Sequence, residues 1–280
     1  MFALFDIGGT KTRIAFSSDG EIFEEPVIIE TPQTFEEGIE VIARTVKDLS
    51  KGREVRAVVG GIAGPLNQLR TELVRAPHLQ NWVGRPIQKA LSESVEARVF
   101  LQNDSALVGL GEARFGAGNG NTIVAYITVS TGVGGVRIVD GQIDRGQFGF
   151  EPGHQIINAN DNSDDALIDL DGTISGEAIE RRFGKKPYEI SQSDALWDEL
   201  ARWLAIGLAN TIVHWSPDVV VLGGSMMVGD PKIPIENVRK HLEVVLKIFP
   251  EHPPLALATL GAVGGLHGAL AYAKTALVGK

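Results

Sequence analysis

The pattern of apolar and polar positions predicts a chain that opens with a β-hairpin. Two apolar runs rich in β-branched and aromatic residues, 2–7 and 12–16, flank a short turn that contains two glycines, an arrangement typical of two tightly joined strands. The same pattern returns about half a chain later, where the apolar runs 123–129 and 136–139 flank a second glycine-rich turn. The chain therefore contains two hairpins with glycine turns.

Between and after the hairpins, apolar residues at helical spacing alternate with short apolar runs, which predicts an α/β fold. The clearest helix follows Thr34, where Thr34 and Glu37 have the capping-box pattern, and Gly52 is placed to end it. The remaining predicted helices are 87–94, 106–114, 175–183, 194–215, 235–249 and 264–277, and the remaining predicted strands are 55–62, 73–75, 99–101, 219–222 and 255–260. The polar stretch 158–165 predicts a solvated loop rather than a calcium loop, because Ala166 stands where a calcium loop needs glycine.

Composition narrows the range of partners. The 280 residues are 44% hydrophobic, enough for a large core and for two lobes. A formal net charge of −9 without any basic run argues against a nucleic-acid surface, and no apolar run reaches the length of a membrane span. The chain has no cysteine, which excludes disulfides, thiolate metal sites and a cysteine nucleophile, and which fits a cytoplasmic protein.

The first glycine turn carries residues suited to the phosphate chain of a nucleotide. Gly8 and Gly9 can take positive φ and can leave backbone N–H groups uncovered for phosphate oxygens, while Asp6 can face a metal ion. For an isolated turn of this kind, the alternative is an ordinary hairpin whose glycines serve only the turn. Two such hairpins, however, can grip a polyphosphate from opposite sides.

A polar cluster at the end of the strand 99–101 is the second candidate site. Residues 102–105, Gln-Asn-Asp-Ser, follow this strand and open the next helix, which is where α/β sheets present chemistry. Taken alone, Asn103, Asp104 and Ser105 are better explained as a helix cap.

Six motifs occur in order along the chain: DIGGTK at 6–11, GIAGP at 61–65, ND at 103–104, STGVGG at 130–135, EPGH at 151–154 and PDVVVLGG at 217–224. Together they resemble the motif series of the ROK sugar kinases, glucokinase-like enzymes of the actin, hexokinase and heat-shock ATPase superfamily. The resemblance spans nearly the whole chain. It implies a two-lobed α/β fold of the actin-like ATPase (ribonuclease H-like) type, with nucleotide and sugar in the cleft between the lobes. Residues 1–105 plus 264–280 would form the N-terminal lobe and 106–263 the C-terminal lobe.

The resemblance also implies roles by motif position. Asp104 would be the general base on the C6 hydroxyl of the sugar, with ATP as the phosphate donor. The implied sugar-binding residues are Gly64, Asn103, Asp104, Glu151, His154 and Asp171. The implied phosphate- and nucleotide-binding residues are Asp6, Gly8, Gly9, Thr10, Lys11, Thr131, Gly132, Gly134, Gly223 and Gly224, and Asp6 would also bind Mg²⁺, directly or through water.

The chain departs from the family pattern in two ways. Most family members follow the motif histidine with a cysteine cluster that binds structural zinc, whereas this chain has no cysteine. No structural zinc is therefore expected, and a hydrogen bond from a neighbour must orient His154. The second departure is Asp171, which stands where the family usually has a sugar-binding glutamate. We hypothesise that Asp171 still contacts the sugar, with altered selectivity. The other histidines, His78 among them, are predicted to be surface or packing residues.

The implied activity is that of an ATP- and Mg²⁺-dependent hexose or hexosamine kinase. A kinase that uses polyphosphate remains an alternative, because the phosphate motifs do not distinguish the donors. A non-catalytic sugar-sensing regulator is disfavoured, since such relatives carry a DNA-binding module before the first hairpin and Met1 leaves no room for one. An ATPase that acts on partner proteins would have no use for the Asn103-Asp104 and Glu151–His154 pairs. We expect a cytoplasmic homodimer whose partners are a small-molecule sugar and nucleotide, with neither nucleic acid nor membrane among them.

Overall fold

The computed structural model describes residues 1–159 and 167–278. The chain divides into two compact units, the first comprising Met1–Arg114, Arg145–Gly149 and Leu260–Lys280, and the second comprising Phe115–Asp144 and Phe150–Thr259. The predicted lobe boundaries, 1–105 plus 264–280 and 106–263, differ from this division mainly in the helix after Asn103, which lies in the first unit. Among the described residues, no helix combines the length and the apolar character that crossing a membrane requires.

Strands and helices alternate along most of the chain. The strands are β1 (Phe2–Ile7), β2 (Lys11–Ser17), β3 (Val27–Glu30), β4 (Ala57–Ile62), β5 (Arg98–Asn103), β6 (Ile123–Val129), β7 (Val133–Val139), β8 (Gln142–Ile143), β9 (Ile156–Ala159), β10 (Leu167–Asp169), β11 (Val219–Gly223) and β12 (Leu255–Leu257). The helices are α1 (Phe35–Ser50), α2 (Ile87–Val95), α3 (Asp104–Phe115), α4 (Asp171–Ile174), α5 (Gly176–Phe183), α6 (Leu196–Trp215), α7 (Ser225–Val228), α8 (Ile235–Val245) and α9 (Gly264–Val278).

The first unit is built on a five-stranded sheet in the order β3-β2-β1-β4-β5. β1 pairs antiparallel with β2 and parallel with β4, and β4 pairs parallel with β5. Helix α9 packs against β1 and β4, while α1 contacts β2 and α2 contacts β5. β1 and β4 are apolar along nearly their whole length. This is expected of strands that are covered on both faces, because none of their side chains points into solvent.

Helix α3 belongs to the first unit as far as Arg114, because two glycines let it approach α9 backbone to backbone. A Cβ atom on Gly111 would lie 2.5 Å from the carbonyl oxygen of Gly264, and a Cβ atom on Gly268 would overlap the carbonyl of Leu107. The backbone N–H of Leu260 also donates a 2.8 Å hydrogen bond to the buried Glu112 carboxylate of α3. The predicted boundary at residue 105 separated helices that these contacts hold together.

The second unit contains another five-stranded sheet, in the order β12-β11-β6-β7-β8. β6 pairs antiparallel with β7 and parallel with β11, so the second glycine hairpin lies inside this sheet. The long helix α6 packs on α8 and contributes a buried stripe to the core. A separate two-stranded sheet joins β9 and β10, with a register irregularity between Ile168 and Asp169.

Most predicted elements are confirmed, with four local differences. Residues 73–75 form no strand of the sheet, because Leu73 makes only isolated bridges to Leu66 and Val83. The helix predicted over 235–249 ends at Val245, where Leu246 leaves the helical conformation, and the strand predicted over 255–260 ends at Leu257. Thr34 is the N-cap of α1, but its hydroxyl bonds the Glu37 carboxylate at 3.3 Å instead of a backbone N–H. Of the polar stretch 158–165, residues 160–165 lie outside the described residues.

Candidate functional site

The first glycine turn, between β1 and β2, does not use the conformational freedom expected of its glycines. Neither Gly8 nor Gly9 has positive φ, and the N–H of Gly8 is used within the turn, where it donates to the carbonyl of Lys11 at 3.0 Å. Gly9 is required for a different reason, since a Cβ atom there would lie 2.5 Å from Cβ of His78. Thr10 and Lys11 are exposed at the end of the turn.

The strand β3 and the loop after it brace this turn. The hydroxyl of Thr31 donates to the carbonyl of Gly8 at 2.8 Å and lies 2.9 Å from the hydroxyl of Thr12, with both threonines buried. The Gln33 amide donates to the carbonyl of Gly9 at 3.4 Å. A polar cavity of about 390 Å³ opens beside the turn and is lined in part by Gly9, Thr10, Gln33, His78 and Asn81. His78, predicted to be a surface or packing residue, therefore lies against the glycine turn.

Asp6 lies near the end of β1 with its carboxylate largely buried. Arg13 is opposite it on β2, and the guanidinium lies 3.7 Å from the carboxylate. Burial raises the pKa of Asp6 above its ordinary value of 3.8, and the charge of Arg13 partly opposes this rise. The first turn of α9 also adjoins the carboxylate, since a Cβ atom on Gly265 would lie 3.1 Å from Cγ of Asp6. Carboxylate oxygens suit Mg²⁺, which usually keeps several waters and takes few protein ligands, so the residues present fit that ion.

Asn103 is fixed at both ends of its side-chain amide. Its Oδ1 accepts a 3.1 Å hydrogen bond from the N–H of Ala106, which caps α3, and its Nδ2 donates to the carbonyl of Gly64 at 3.1 Å. Gly64 has φ of +124°, and a Cβ atom there would lie 2.5 Å from the carbonyl of Arg75, so only glycine fits. The helix-cap explanation is thus correct for one end of Asn103, while the other end links β5 to the loop after β4.

Asp104 is the first residue of α3 and is partly buried. Its Oδ1 accepts a 2.8 Å hydrogen bond from the N–H of Ser105. Gly61 on β4 allows the close approach of this helix start, since a Cβ atom on Gly61 would lie 3.0 Å from Cα of Asp104. The first unit therefore places Asp104, Asn103 and Gly64 together at the ends of two adjacent parallel strands.

The second glycine turn, between β6 and β7, is held by hydrogen bonds to its neighbours. The carbonyls of Ser130 and Thr131 accept from the N–H groups of Gly176 and Glu177, the first residues of α5, at 2.8 and 3.1 Å. The hydroxyl of Ser130 lies 3.0 Å from that of Ser225 at the start of α7. The turn itself is closed by a 2.8 Å hydrogen bond from the N–H of Ser130 to the carbonyl of Gly132.

The glycine pair after β11 adjoins this second turn. Thr128 on β6 pairs with Gly134 on one side and with Gly223 on the other. Gly224 has φ of +86°, and a Cβ atom there would lie 2.6 Å from the hydroxyl oxygen of Thr128. The second unit therefore brings together five of the predicted nucleotide-side residues, namely Thr131, Gly132, Gly134, Gly223 and Gly224.

The EPGH motif forms a 3₁₀ turn, Pro152–His154, that packs directly on β7. A Cβ atom on Gly153 would overlap the carbonyl of Val133, and one on Gly135 would lie 2.9 Å from Cγ of Pro152. The glycine of this motif is therefore required by the close packing of two backbones. As a result, Glu151 and His154 stand beside the strand that leaves the second glycine turn.

Glu151, His154 and Asp171 form one electrostatic group. Partial burial of the Glu151 carboxyl raises its pKa above the ordinary value of 4.5, the charge of His154 opposes the rise, and the charge of Asp171 adds to it. Asp171 Oδ1 accepts a 2.6 Å hydrogen bond from the N–H of Val133. The structure thus brings all three predicted sugar-binding side chains of the second unit together.

Sequence reasoning missed the partner of His154, which is Asp169. The Nδ1 atom of His154 lies 2.9 Å from Oδ2 of Asp169. Within the two described segments, no three His, Cys, Asp or Glu side chains are arranged to hold a metal ion. An aspartate two residues before Asp171 follows no recognisable pattern, so the sequence offered no signal for this pair.

Comparison with known proteins identifies the family of this chain. The family model described as "ROK family" matches residues 3–276. The chain is 29% identical to a glucokinase of Streptomyces coelicolor, covering 96% of each chain, and 26% identical to an N-acetyl-D-glucosamine kinase of Histophilus somni, covering 97% of this chain and 98% of that one.

Solved structures of ROK proteins have a similar fold. The ROK hexokinase from Thermus thermophilus has a TM-score of 0.85 at 30% identity and covers 98% of this chain and 99% of its own. The glucokinase from Streptomyces griseus in complex with glucose and AMPPNP has a TM-score of 0.76 at 26% identity, covering 97% and 98%. These matches confirm the predicted α/β fold of the actin-like ATPase type, and the chain belongs to the ROK family.

Proposed function

We propose that this sugar kinase transfers the γ-phosphoryl group of ATP to the C6 hydroxyl of a hexose or hexosamine, with Asp104 as the general base. The observation that carries the proposal is the arrangement at the ends of β4 and β5. Asp104 begins α3 there, partly buried, beside an Asn103 amide that hydrogen bonds hold at both ends. A fixed polar frame around one carboxylate is what orienting and deprotonating a hydroxyl requires.

In the proposed step, the C6 oxygen attacks the γ-phosphorus while its proton passes to the carboxylate of Asp104. The new bond joins the C6 oxygen to phosphorus, and the bond between phosphorus and the bridging oxygen breaks to leave ADP. Mg²⁺, when bound, neutralises the charge on the phosphate oxygens. Asp6 would hold Mg²⁺, and Gly9, Thr10, Lys11, Thr131, Gly132, Gly134, Gly223 and Gly224 would bind phosphate, with Gly8 closing the first glycine turn through its N–H.

The proposed sugar-binding residues supply both hydrogen-bond acceptors and hydrogen-bond donors. Gly64 and Asn103 belong to the first unit, and Glu151, His154 and Asp171 belong to the second. The second group supports sugar binding because the Asp171 carboxylate lies close enough to Glu151 to raise its pKa, which concentrates hydrogen-bond acceptors in a small volume. Hydroxyl groups are the natural partners of such a cluster.

The direct test is Asp104→Asn. Asparagine keeps an oxygen that can accept from the N–H of Ser105, so the variant should fold, while the loss of the base should lower kcat by about 10²- to 10⁴-fold. Sugar affinity, measured by calorimetry, should change little. Glu36→Gln, which alters an exposed acid in the first turn of α1, is the control and should keep wild-type turnover. Near-normal turnover in Asp104→Asn would refute the assignment.

The sugar and the phosphate donor are identified by one coupled-assay panel. Glucose, mannose, fructose, allose, N-acetylglucosamine and N-acetylmannosamine are each combined with ATP and with polyphosphate. The relatives named glucokinase and N-acetyl-D-glucosamine kinase support a hexose or a hexosamine. Turnover with polyphosphate but not with ATP would replace the proposed donor, and sugar binding without any turnover would favour a sugar-sensing protein.

Two further expectations from the family resemblance remain proposals. We propose that the protein is a homodimer, which sedimentation analysis measures directly. We also propose a cytoplasmic location, which fractionation of the source cells would test.

A further inference from the structure

We propose that Asp169 is a positioning residue for sugar binding, because its one carboxylate fixes both His154 and the backbone turn that presents Asp171. The inference rests on the proposed function insofar as these two residues bind sugar. It supplies the neighbour that must orient His154 in a chain without cysteines.

The first arm of Asp169 acts on the imidazole ring. His154 Nδ1 lies 2.9 Å from Asp169 Oδ2, and the side chains are 54% and 30% exposed. A ring exposed to this extent has little packing to fix its orientation, so the hydrogen bond fixes it. Because a carboxylate only accepts hydrogen bonds, the proton of the neutral ring must sit on Nδ1. Nε2 is then left as an acceptor for a sugar hydroxyl.

The second arm of Asp169 acts on the backbone. Its Oδ1 accepts a 2.7 Å hydrogen bond from the N–H of Gly172, and its carbonyl accepts from the hydroxyl of Thr173 at 2.7 Å. These bonds hold the first turn of α4, which begins at Asp171. A Cβ atom on Gly172 would lie 2.7 Å from Oδ1 of Asp169, so glycine is needed for this approach. This first turn of α4 places the carboxylate of Asp171 against the N–H of Val133.

The register of the sheet formed by β9 and β10 places Asp169 within hydrogen-bond distance of both His154 and Gly172. β10 pairs with β9 until an irregularity between Ile168 and Asp169, after which Asp169 stands opposite Ile156. Such irregularities redirect a side chain relative to regular pairing. Ile156 is only two residues beyond His154, so the redirected carboxylate lies beside the 3₁₀ turn that carries the histidine.

If the role of Asp169 were purely structural, only its hydrogen bonds to the first turn of α4 would matter. Asp169→Asn separates these bonds from the hydrogen bond to His154. Asparagine can keep its oxygen on the N–H of Gly172, but its NH₂ group then faces His154 Nδ1 as a donor. The ring must respond by carrying its proton on Nε2, which removes the acceptor offered to the sugar. The fold is therefore retained while the histidine tautomer is reversed.

The experiment measures this reversal and its effect on sugar binding. In Asp169→Asn, we expect the KM for sugar to rise about tenfold, with the KM for ATP and the melting temperature close to wild type. Nitrogen-15 NMR of the histidines, with the His154 signals assigned through His154→Gln, should show the proton on Nδ1 in the wild type and on Nε2 in the variant. In a His154→Gln background, adding Asp169→Asn should raise the KM for sugar little further.

The matched control is Asp198→Asn, because Asp198 also pairs with a histidine, His241, at 3.1 Å in the same unit. This control should leave the KM for sugar unchanged. The inference is overturned if Asp169→Asn keeps the wild-type KM and tautomer, or if its KM values for sugar and ATP rise together with a loss of melting temperature. Failure of the proposed function would appear instead as no phosphorylation by the wild type, and in that case the tautomer and calorimetric sugar binding still decide the role of Asp169.

Discussion

The backbone N–H of Val133 donates a 2.6 Å hydrogen bond to Oδ1 of Asp171. Val133 is the first residue of β7, directly after the second glycine turn, so a proposed sugar-binding carboxylate is bonded to the proposed phosphate-binding hairpin. Gly132 allows this bond, since a Cβ atom there would lie 3.1 Å from the same oxygen. The proposed sugar-binding and phosphate-binding groups of the second unit therefore share one structural contact.

Two substitutions of Asp171 separate its proposed role in sugar binding from its hydrogen bond to the second glycine turn. Asp171→Asn keeps an acceptor for the N–H of Val133 but loses the charge, so the KM for sugar should rise about tenfold while the KM for ATP stays near wild type. Asp171→Ala loses both functions, so both KM values should rise. Steady-state kinetics with each substrate varied would measure the effect. Wild-type affinity of Asp171→Ala for every sugar would contradict the role of Asp171.

The sequence was sufficient to predict elements whose information is local. Both hairpins, the long helices and the polar cluster at Asn103 and Asp104 follow from apolar spacing and from residues adjacent in the chain. Leu73 shows the limit of that approach, because its apolar run predicted a strand, yet its burial comes from tertiary packing with only isolated bridges.

The reasons for individual glycines could not be predicted, because they lie in distant parts of the chain. The turn glycines suggested positive φ, but Gly9 is required by His78, and a Cβ atom on Gly132 would crowd the carboxylate of Asp171. Asp169 was missed for the same reason, since its role depends on the register of a three-residue strand. Such contacts arise only when segments far apart in sequence meet.

The buried threonine pair beneath the first glycine turn should matter for stability. Thr31→Val keeps the shape of the side chain but removes its hydrogen bonds to the Gly8 carbonyl and the Thr12 hydroxyl, so the free energy of unfolding should fall by about 1–3 kcal/mol. Urea denaturation would measure the change. Thr45→Val is the control, because the Thr45 hydroxyl bonds the carbonyl of Val41 within α1, and it should cost less. An equal loss in both variants would contradict the bracing role of Thr31.

The contact between Gly9 and His78 predicts a compensating pair of substitutions. Gly9→Ala should raise the KM for ATP, because the new Cβ atom would lie 2.5 Å from Cβ of His78 and must displace the turn or its neighbour. Adding His78→Gly removes the obstructing atom, so the double variant should recover part of the affinity. Kinetics of the single and double variants test this, and a double variant no better than Gly9→Ala would show that the turn itself cannot accept a Cβ atom.

The raised pKa of Glu151 predicts how sugar use depends on pH. If the carboxylate accepts a sugar hydroxyl, kcat/KM for sugar should fall as pH decreases through this pKa. Because burial raises the pKa above 4.5, the fall should begin at a higher pH than for an ordinary glutamate. Glu151→Gln should have a lower kcat/KM that no longer shows this fall.

The charges of His154 and Asp171 should shift, in opposite directions, the pH at which kcat/KM for sugar falls. Once its ring is protonated, the positive charge of His154 lowers the pKa of Glu151, whereas the negative charge of Asp171 raises it. His154→Gln should therefore shift the fall to higher pH, and Asp171→Asn should shift it to lower pH. The measurement is a profile of kcat/KM for sugar against pH in each variant, at saturating ATP. Shifts in the same direction for both variants would show that Glu151 is not the group that titrates.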